Sequence, residues 1–503
     1  MKALTVREMR SIEAAALAGP WTESTLMQAA GERLACSISR IFPKPGTIVA
    51  YLGKGHNAGD AFVALRTLSM FHGWRIMMRC AHPRDRWAPL TLEKLSLLET
   101  AGVIGEPGPL PDILEVIQAD QPLVLLDALV GIGANGALRE PLLSLAREME
   151  EIRNHFGAKV IALDLPSGVD PDTGEVHPGA VTADATFMIG APKQGLLFEH
   201  AADAVGALHL VPVDALAPVD TGGHQLAGPH SIRSIHEPRP FNFHKGKAGR
   251  VGILAGSREY SGAAVLASMG ALAGGAGLVT LHLPQEAIPF VSGRLPPEII
   301  LRTCKDPREI LSQRYDALVI GCGLHSTDPG YHRSLREAIL ASPLPTVIDA
   351  EALNLLSPGD PTLLRENHLL TPHPGEFRRL APDLVRLPRE DAARTFADRT
   401  SATVLLKGCR TVVTRKERPL WFNPTGTPGM ATGGQGDLLS GVVGALLAIG
   451  NPTLEAASIG AWICGRAAER AMLDPEISAQ SLLPTHVHAC IGGAFRDWAE
   501  RTR

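Results

Sequence analysis

The sequence has little aromatic content, little charge imbalance and no paired cysteines, and each shortage excludes something. Its seven cysteines (Cys36, Cys80, Cys304, Cys322, Cys409, Cys464 and Cys490) are scattered, with no C-x-x-C pair. That spacing argues against a disulfide framework and for a reducing compartment, so a cytoplasmic protein is expected. Lys and Arg total 48 against 52 Asp and Glu, a net charge of −4, which leaves no polybasic field for nucleic acid or an anionic membrane. Arg7, Glu8, Arg10 and Glu13 interrupt the region where an export signal needs an apolar run. One long uncharged stretch exists, residues 263–281, but ten of its nineteen residues are Ala or Gly. Gly274, Gly275 and Gly277 punctuate it, so it reads as a buried helix, turn and strand rather than a membrane span. No short repeat is present, which excludes solenoids and propellers.

What the chain does have is turn chemistry. Its 503 residues include 51 glycines and 39 prolines, enough for two or more domains rich in tight turns and close backbone approaches. Short, continuous apolar runs at 47–52, 74–80, 123–127, 160–164 and 207–211 suit strands buried on both faces of a parallel sheet. Helical stretches such as 61–71 and 90–100 separate them, giving the β-α-β rhythm of a doubly wound sheet. Residues 214–240 are rich in Pro, Gly and His without sustained period. The alternation then restarts, with strands expected at 250–255, 278–282, 317–320, 346–349, 368–370, 403–407 and 411–414. The expected organisation is α/β: two tandem three-layer α/β/α domains over 1–215 and 236–503, joined by a linker at 216–235, with ligand loops at strand C-terminal ends.

In the first half, strand 47–52 runs into Gly53-Lys54-Gly55-His56-Asn57-Ala58-Gly59-Asp60 before a helix. Such a turn concentrates free N–H groups and a helix dipole, although it lacks the spacing of the dinucleotide fingerprint and of the P-loop. A tight turn capped by Asp60 is the plain alternative. Two further strand ends carry Asp127 before Gly131-Ile132-Gly133 and Asp164 before Pro166-Ser167-Gly168. Three glycine-and-carboxylate loops on one sheet edge describe a pocket. Together with Leu26–Gly31 and 164–174, these residues resemble the NAD(P)H-hydrate epimerase domain, over about residues 5–215 and with a Rossmann-like fold. The resemblance implies a potassium ion on Asn57, Asp127 and Ser167. It also implies a hydrated nicotinamide nucleotide along His56, Asn57, Ala58, Gly59 and Asp60 and along Gly131, Ile132, Gly133, Ala134, Asn135, Gly136 and Ala137, with Asp164 catalytic beside the ring. His56 and Ala58 stand where that family has Asn and Gly. Ala58 is tolerable only where φ is negative.

The strongest signal lies in the second half, at 423–441 (NPTGTPGMATGGQGDLLSG). Gly433-Gly434-Gln435-Gly436 opens onto a helix, which suits an anion, and Asp437 in its first turn is placed to take a proton from a hydroxyl. Helix capping is the alternative role. The loop is similar to the anion hole and catalytic Asp of ribokinase-like proteins. With 245–250, Gly256-Ser257, 260–264, 321–324, 371–376 and 407–411, the half resembles ADP-dependent NAD(P)H-hydrate dehydratases over about 235–500. By that resemblance Ala264, Gly323, His373 and the catalytic Asp437 contact the hydrated nucleotide, while Lys407, Gly408, Cys409, Arg410, Thr411 and Gly436 hold ADP, which carries Mg2+. Glu376 reads equally as a helix-start residue, and Lys407 alone reads as a strand-end lysine reaching solvent. His486, His488 and Cys490 have metal-ligand types but no partner cluster, which argues against zinc.

The function expected is therefore repair of hydrated NADH and NADPH: epimerisation of the R and S hydrates (NADHX, NADPHX) by the first half and ADP-driven dehydration of the S form by the second. The partners expected are these small molecules and other copies of the chain, with no nucleic acid and no membrane. The alternative is a ribokinase-like small-molecule kinase fused to a nucleotide-binding regulatory or scaffolding module.

Overall fold

The computed structural model describes residues 1–102, 121–218, 222–232, 239–356 and 360–501. The chain divides into two compact units, Met1–Thr221 and Gly222–Arg503.

The first unit is built on six parallel strands: β1 (Thr47–Leu52), β2 (Arg75–Cys80), β3 (Leu123–Ala128), β4 (Lys159–Leu163), β5 (Ala185–Ile189) and β6 (Ala207–Val211), in the order 2-1-3-4-5-6. The order reverses between β1 and β3, and a parallel α/β sheet binds ligands at the C-terminal ends of strands flanking such a switch. Helices α1 (Val6–Leu17), α2 (Glu23–Ile41), α3 (His56–His72), α4 (Pro89–Thr100) and α5 (Leu142–Phe156) accompany the sheet. One core cluster joins α2, α3 and α4 to the sheet and a second joins α5 to it, which gives three layers. Strands β1 and β3 are buried throughout, as continuous apolar runs require. Strand β5 was not among the expected strands, because its five residues follow Ala183-Asp184 without a turn signal.

The second unit holds a ten-stranded sheet: β7 (His224–Leu226), β8 (Arg250–Leu254), β9 (Leu278–Leu283), β10 (Ile299–Thr303), β11 (Ala317–Ile320), β12 (Thr346–Ile348), β13 (His368–Leu370), β14 (Thr403–Leu406), β15 (Val412–Thr414) and β16 (Leu420–Phe422). The order is 10-9-8-11-12-13-14-15-16-7. Its pairs are parallel except β14–β15 and β15–β16. Strand β7 falls inside the segment read as a linker; it pairs with β16 from Leu420↔His224 to Phe422↔Leu226. Its three residues are too few to show a period. The helices of seven residues or more here are α6 (Ser261–Ala273), α7 (Pro329–Ala341), α8 (Pro374–Leu380), α9 (Arg389–Arg399), α10 (Gln435–Ala448), α11 (Thr453–Ala471) and α12 (Pro484–Arg501).

The uncharged stretch is α6 and β9, with Gly275 at φ +99° in the turn between them. It is uncharged because α6 lies directly on α10. A Cβ on Gly270 would lie 2.2 Å from the Leu438 carbonyl oxygen, and one on Gly441 would lie 2.0 Å from that of Ala267. Among the described residues, no helix is long and apolar enough to cross a membrane.

Candidate active sites

In the first unit a cleft of about 780 Å3 opens at the C-terminal ends of β1, β3 and β4. Residues 56–60 form the first turn of α3, and helical geometry sorts them. His56, Asn57 and Asp60 share a face and line the cleft, whereas Ala58 and Gly59 are buried behind it. Neither of those two offers surface to a ligand, contrary to the expectation for that run. A Cβ on Gly59 would meet the Met27 sulfur at 2.5 Å. Ala58 is helical and so has the negative φ its Cβ requires. Gly131–Ala134 line the same cleft, Asn135 lines an adjoining cavity of about 520 Å3, and Gly136 and Ala137 are exposed.

Asn57, Asp127 and Ser167 converge through the β3 loop. Asn57 Nδ2 donates to the carbonyl oxygens of Val130 (2.7 Å) and Leu163 (3.3 Å), which leaves its Oδ1. Ser167 Oγ accepts from Val130 N at 3.2 Å and donates to Asp127 Oδ1 at 2.6 Å. Asp127 also accepts from the backbone N–H groups of Ser167 (2.7 Å) and Leu129 (3.2 Å). Wholly buried and bonded only by neutral donors, its carboxyl is pushed up to about 6 by desolvation. A buried carboxylate beside amide, hydroxyl and carbonyl oxygens is a donor set suited to a hard cation, so these residues fit the potassium ion expected of them.

Asp164 follows β4 with φ +71°, a conformation costly for a residue with a Cβ. Its Oδ1 accepts from Ile189 N at 2.9 Å and from Lys193 Nζ. Lys193, buried to 1% exposure, also donates to Ile189 O at 2.9 Å. Asp60 and Glu13 share this corner. Burial, then the Asp164 charge, raises both carboxyls, Asp60 well above the usual range. Lys193 and Glu13 were not among the residues expected. Lys193 follows β5, itself unrecognised, and Glu13 lies on a helix with no motif.

In the second unit the glycine-rich loop ends at Gly434, whose φ of +94° turns the chain into α10. Asp437 is the third residue of that helix. Burial, then the neighbouring Asp349 charge, pushes its carboxyl up to about 6, against the opposing pull of Lys407. Lys407, at the end of β14, places Nζ 2.8 Å from Asp349 Oδ1 and 3.9 Å from Glu376 Oε2. A Cβ on Gly436 would lie 3.2 Å from that ammonium, which places the helix start close beside the lysine tip. Gln435, between these glycines, has both side-chain polar atoms buried without a partner, and a ligand or water must satisfy them.

The turn from Gly408 to Thr411 is braced by Arg389, which donates to the carbonyl oxygens of Cys409 (2.6 Å) and Leu406 (2.7 Å), and by Thr411 Oγ1, which donates to Gly408 O at 3.0 Å. Gly408 and Arg410 both have positive φ there, at +147° and +52°. Gly323, at φ +61°, lies against Tyr260 and Ala263. Ala264 is 0% exposed and packs under Gly256, so it shapes the turn and presents no surface of its own, unlike the contact expected of it. His373 is the N-cap of α8. Its Nδ1 accepts from Gly375 N (2.9 Å) and Glu376 N (3.4 Å), while Glu376 Oε2 accepts from His373 N (2.8 Å). The cap makes Nδ1 an acceptor, and the half-exposed ring has Nε2 3.5 Å from Glu376 Oε1. His486, His488 and Cys490 lie on α12, where His486 and Cys490 share a face and His488, two residues from each, is turned away from it.

Cys322, Asp349 and Asp437 have potential ligand atoms all within 4.8 Å of one another. They do not fit magnesium, because Lys407 and Ser440 already occupy the two Asp349 oxygens and a thiol suits a hard cation poorly. Asp349, Ser440 and Cys322 were not among the expected site residues. The available signal was Asp349 at a strand's C-terminal end, the placement that singled out Asp127 and Asp164.

Residues 251–491 match the family model described as NAD(P)H-hydrate dehydratase, and residues 23–195 match YjeF-related protein N-terminus. The bifunctional NAD(P)H-hydrate repair enzyme Nnr of Gloeobacter violaceus is 35% identical, over 95% of this chain and 96% of its own. The enzyme of the same name from Thermosynechococcus vestitus is 32% identical, over 95% and 94%. A solved ADP/ATP-dependent NAD(P)H-hydrate dehydratase from Bacillus subtilis, co-crystallized with ATP/Mg2+, is 27% identical over 55% of this chain and 98% of its own, with a TM-score of 0.49. With relatives this similar along nearly the whole chain, the protein belongs to the family of bifunctional NAD(P)H-hydrate repair enzymes.

Proposed function

We propose that the protein restores NADH and NADPH from their hydrates by two activities in series, with epimerisation in Met1–Thr221 and ADP-dependent dehydration of the S hydrate in Gly222–Arg503. The observation that carries this reading is Asp437, held at the start of α10 beside Lys407 and the Gly433–Gly436 turn.

The hydrated ring bears a hydroxyl on the carbon next to its nitrogen. Hydroxide leaves poorly and phosphate leaves well. Asp437 takes the hydroxyl proton, the oxygen attacks the terminal phosphorus of ADP, and AMP departs. The ring nitrogen's lone pair then expels phosphate, and loss of a proton from the adjacent ring carbon restores the double bond. The N–H groups at the start of α10 face the phosphate charge, and Lys407 adds a point charge. Lys407, Gly408, Cys409, Arg410, Thr411 and Gly436 are proposed to hold ADP, with magnesium entering on the nucleotide. Gly323 and the half-exposed ring of His373 are proposed to contact the hydrate.

In the first unit the same lone pair can expel the hydroxyl, protonated as it leaves, and water can return to the other face. Asp60, with its raised carboxyl, is the proposed donor, and Asp164, paired with Lys193, the acceptor. His56, Asn57 and Gly131–Ala134 are proposed to line the substrate site. Asn57, Asp127 and Ser167 are proposed to hold potassium, which supplies positive charge that fixes the loop. Seven free cysteines support a cytoplasmic location.

The test is recovery of NADH absorbance from NADHX with and without ADP or ATP, with product masses recorded. NADH with AMP and phosphate supports the reading; recovery without nucleotide overturns the ADP-driven step, and a stable phosphorylated product overturns the reading in favour of a kinase.

A further inference from the structure

Asp349 has a costly position for a carboxylate. It is 1% exposed at the end of β12, where burying a charge is unfavourable unless every interaction is satisfied. Two backbone features are committed to presenting it. Ala350, the next residue, has φ +49° and ψ −119°, and a Cβ on Gly321 would stand 1.8 Å from the Asp349 carbonyl oxygen. Strain of this kind persists where the surroundings over-determine it, and it concentrates at functional sites. The carboxylate itself is fully engaged. Oδ1 accepts from Lys407 Nζ at 2.8 Å, and Oδ2 accepts from Ser440 Oγ at 2.8 Å with Cys322 Sγ at 3.8 Å.

We infer that Asp349 is a positioning residue for the dehydration step, pinning the Lys407 ammonium beside the phosphate-binding turn with one oxygen while setting a second negative charge next to Asp437. The inference rests on the function proposed above. The charged and titratable groups that bear on Asp437 are Asp349, Lys407, Cys322 and Glu376. Asp349 and Glu376 disfavour its ionised form and Lys407 favours it, so a single ammonium serves three carboxylates. Removing the charge of Asp349 leaves Asp437 easier to ionise and a weaker proton acceptor. It also frees Lys407 from its anchor.

The test is the pH profile of kcat/KM for dehydration in the full chain, comparing wild type with Asp349→Asn, which keeps the shape and an acceptor for Ser440. The acidic limb is expected to move down by about one pH unit or more, as for loss of a like charge about 5 Å away. The plateau kcat is expected to fall and KM for ADP to rise. Asp349→Ser removes the same charge and carries the test if the Asn variant does not fold. A folded variant whose acidic limb stays at the wild-type pH overturns the inference, since a purely structural anchor has no reason to move it. Asp437→Ala, measured alongside, separates the two failures: if that variant still dehydrates, the function proposed above is what fails.

Discussion

Asp437 and Asp127 are two carboxyls that burial raises alike and whose surroundings differ, which is why different duties are proposed for them. Desolvation is the chief cause that pushes each up to about 6. Asp437 faces a lysine and a glycine turn, so it can exchange a proton with a ligand; Asp127 faces only fixed neutral donors, so it suits a resident cation. Replacing Asp437 with Asn is expected to lower dehydration by about 10²–10⁴-fold, the usual contribution of a positioned base, with ADP binding by calorimetry retained. A general base works ionised, so with Asp437 in the proposed role kcat/KM of the wild type should fall tenfold per unit as pH drops below about 6 and stay level above it. A stopped series of initial rates across pH checks this. Asp437 was legible in the sequence because glycines, helix start and acid are contiguous. Asp349 and Cys322 come from other elements and reach Asp437 only when the sheet order is set, whereas Ser440 stands one turn further along the same helix and bonds Asp349 from there.

At the scale of elements, the glycines of the motifs divide between ligand loops and helix contacts. Gly31 is one of the latter: a Cβ there would fall 2.5 Å from Val63 Cβ and 2.7 Å from the Asp60 carbonyl oxygen. Gly31→Ala should therefore push α2 off α3, cost about 1–3 kcal/mol as overpacking does, and displace Asp60. Urea unfolding together with epimerase rate reads both effects; an unchanged midpoint would show that the helices have room. The same reasoning explains why Ala58 and Gly59 belong to the motif yet face the core. A loop reading of residues 56–60 puts all five on the ligand, whereas one helical turn presents three. Continuous apolar runs made the long parallel strands legible. The three-residue strands β7 and β16, and β10 with its exposed edge residues, offer too little pattern.

For the whole molecule, two units with separate cores meet a chemical need: water adds to either face of a reduced nicotinamide, and one chiral dehydratase site accepts one product. The proposed potassium site belongs at this scale because an ion that binds only the folded first unit would stabilise it through linkage. Exchanging potassium for tetramethylammonium at constant ionic strength should lower the melting temperature of the wild type and leave that of Asp127→Asn unmoved; equal responses would remove the ion from Asp127. The central claim, two activities in series with Asp437 in the second alone, is tested most directly by supplying a mixture of R and S NADHX with ADP and following both epimers by chromatography. Wild type should convert all of it to NADH, while Asp437→Ala should interconvert the epimers at the wild-type rate and form none. NADH production by that variant, or an R epimer left behind by the wild type, would contradict the account.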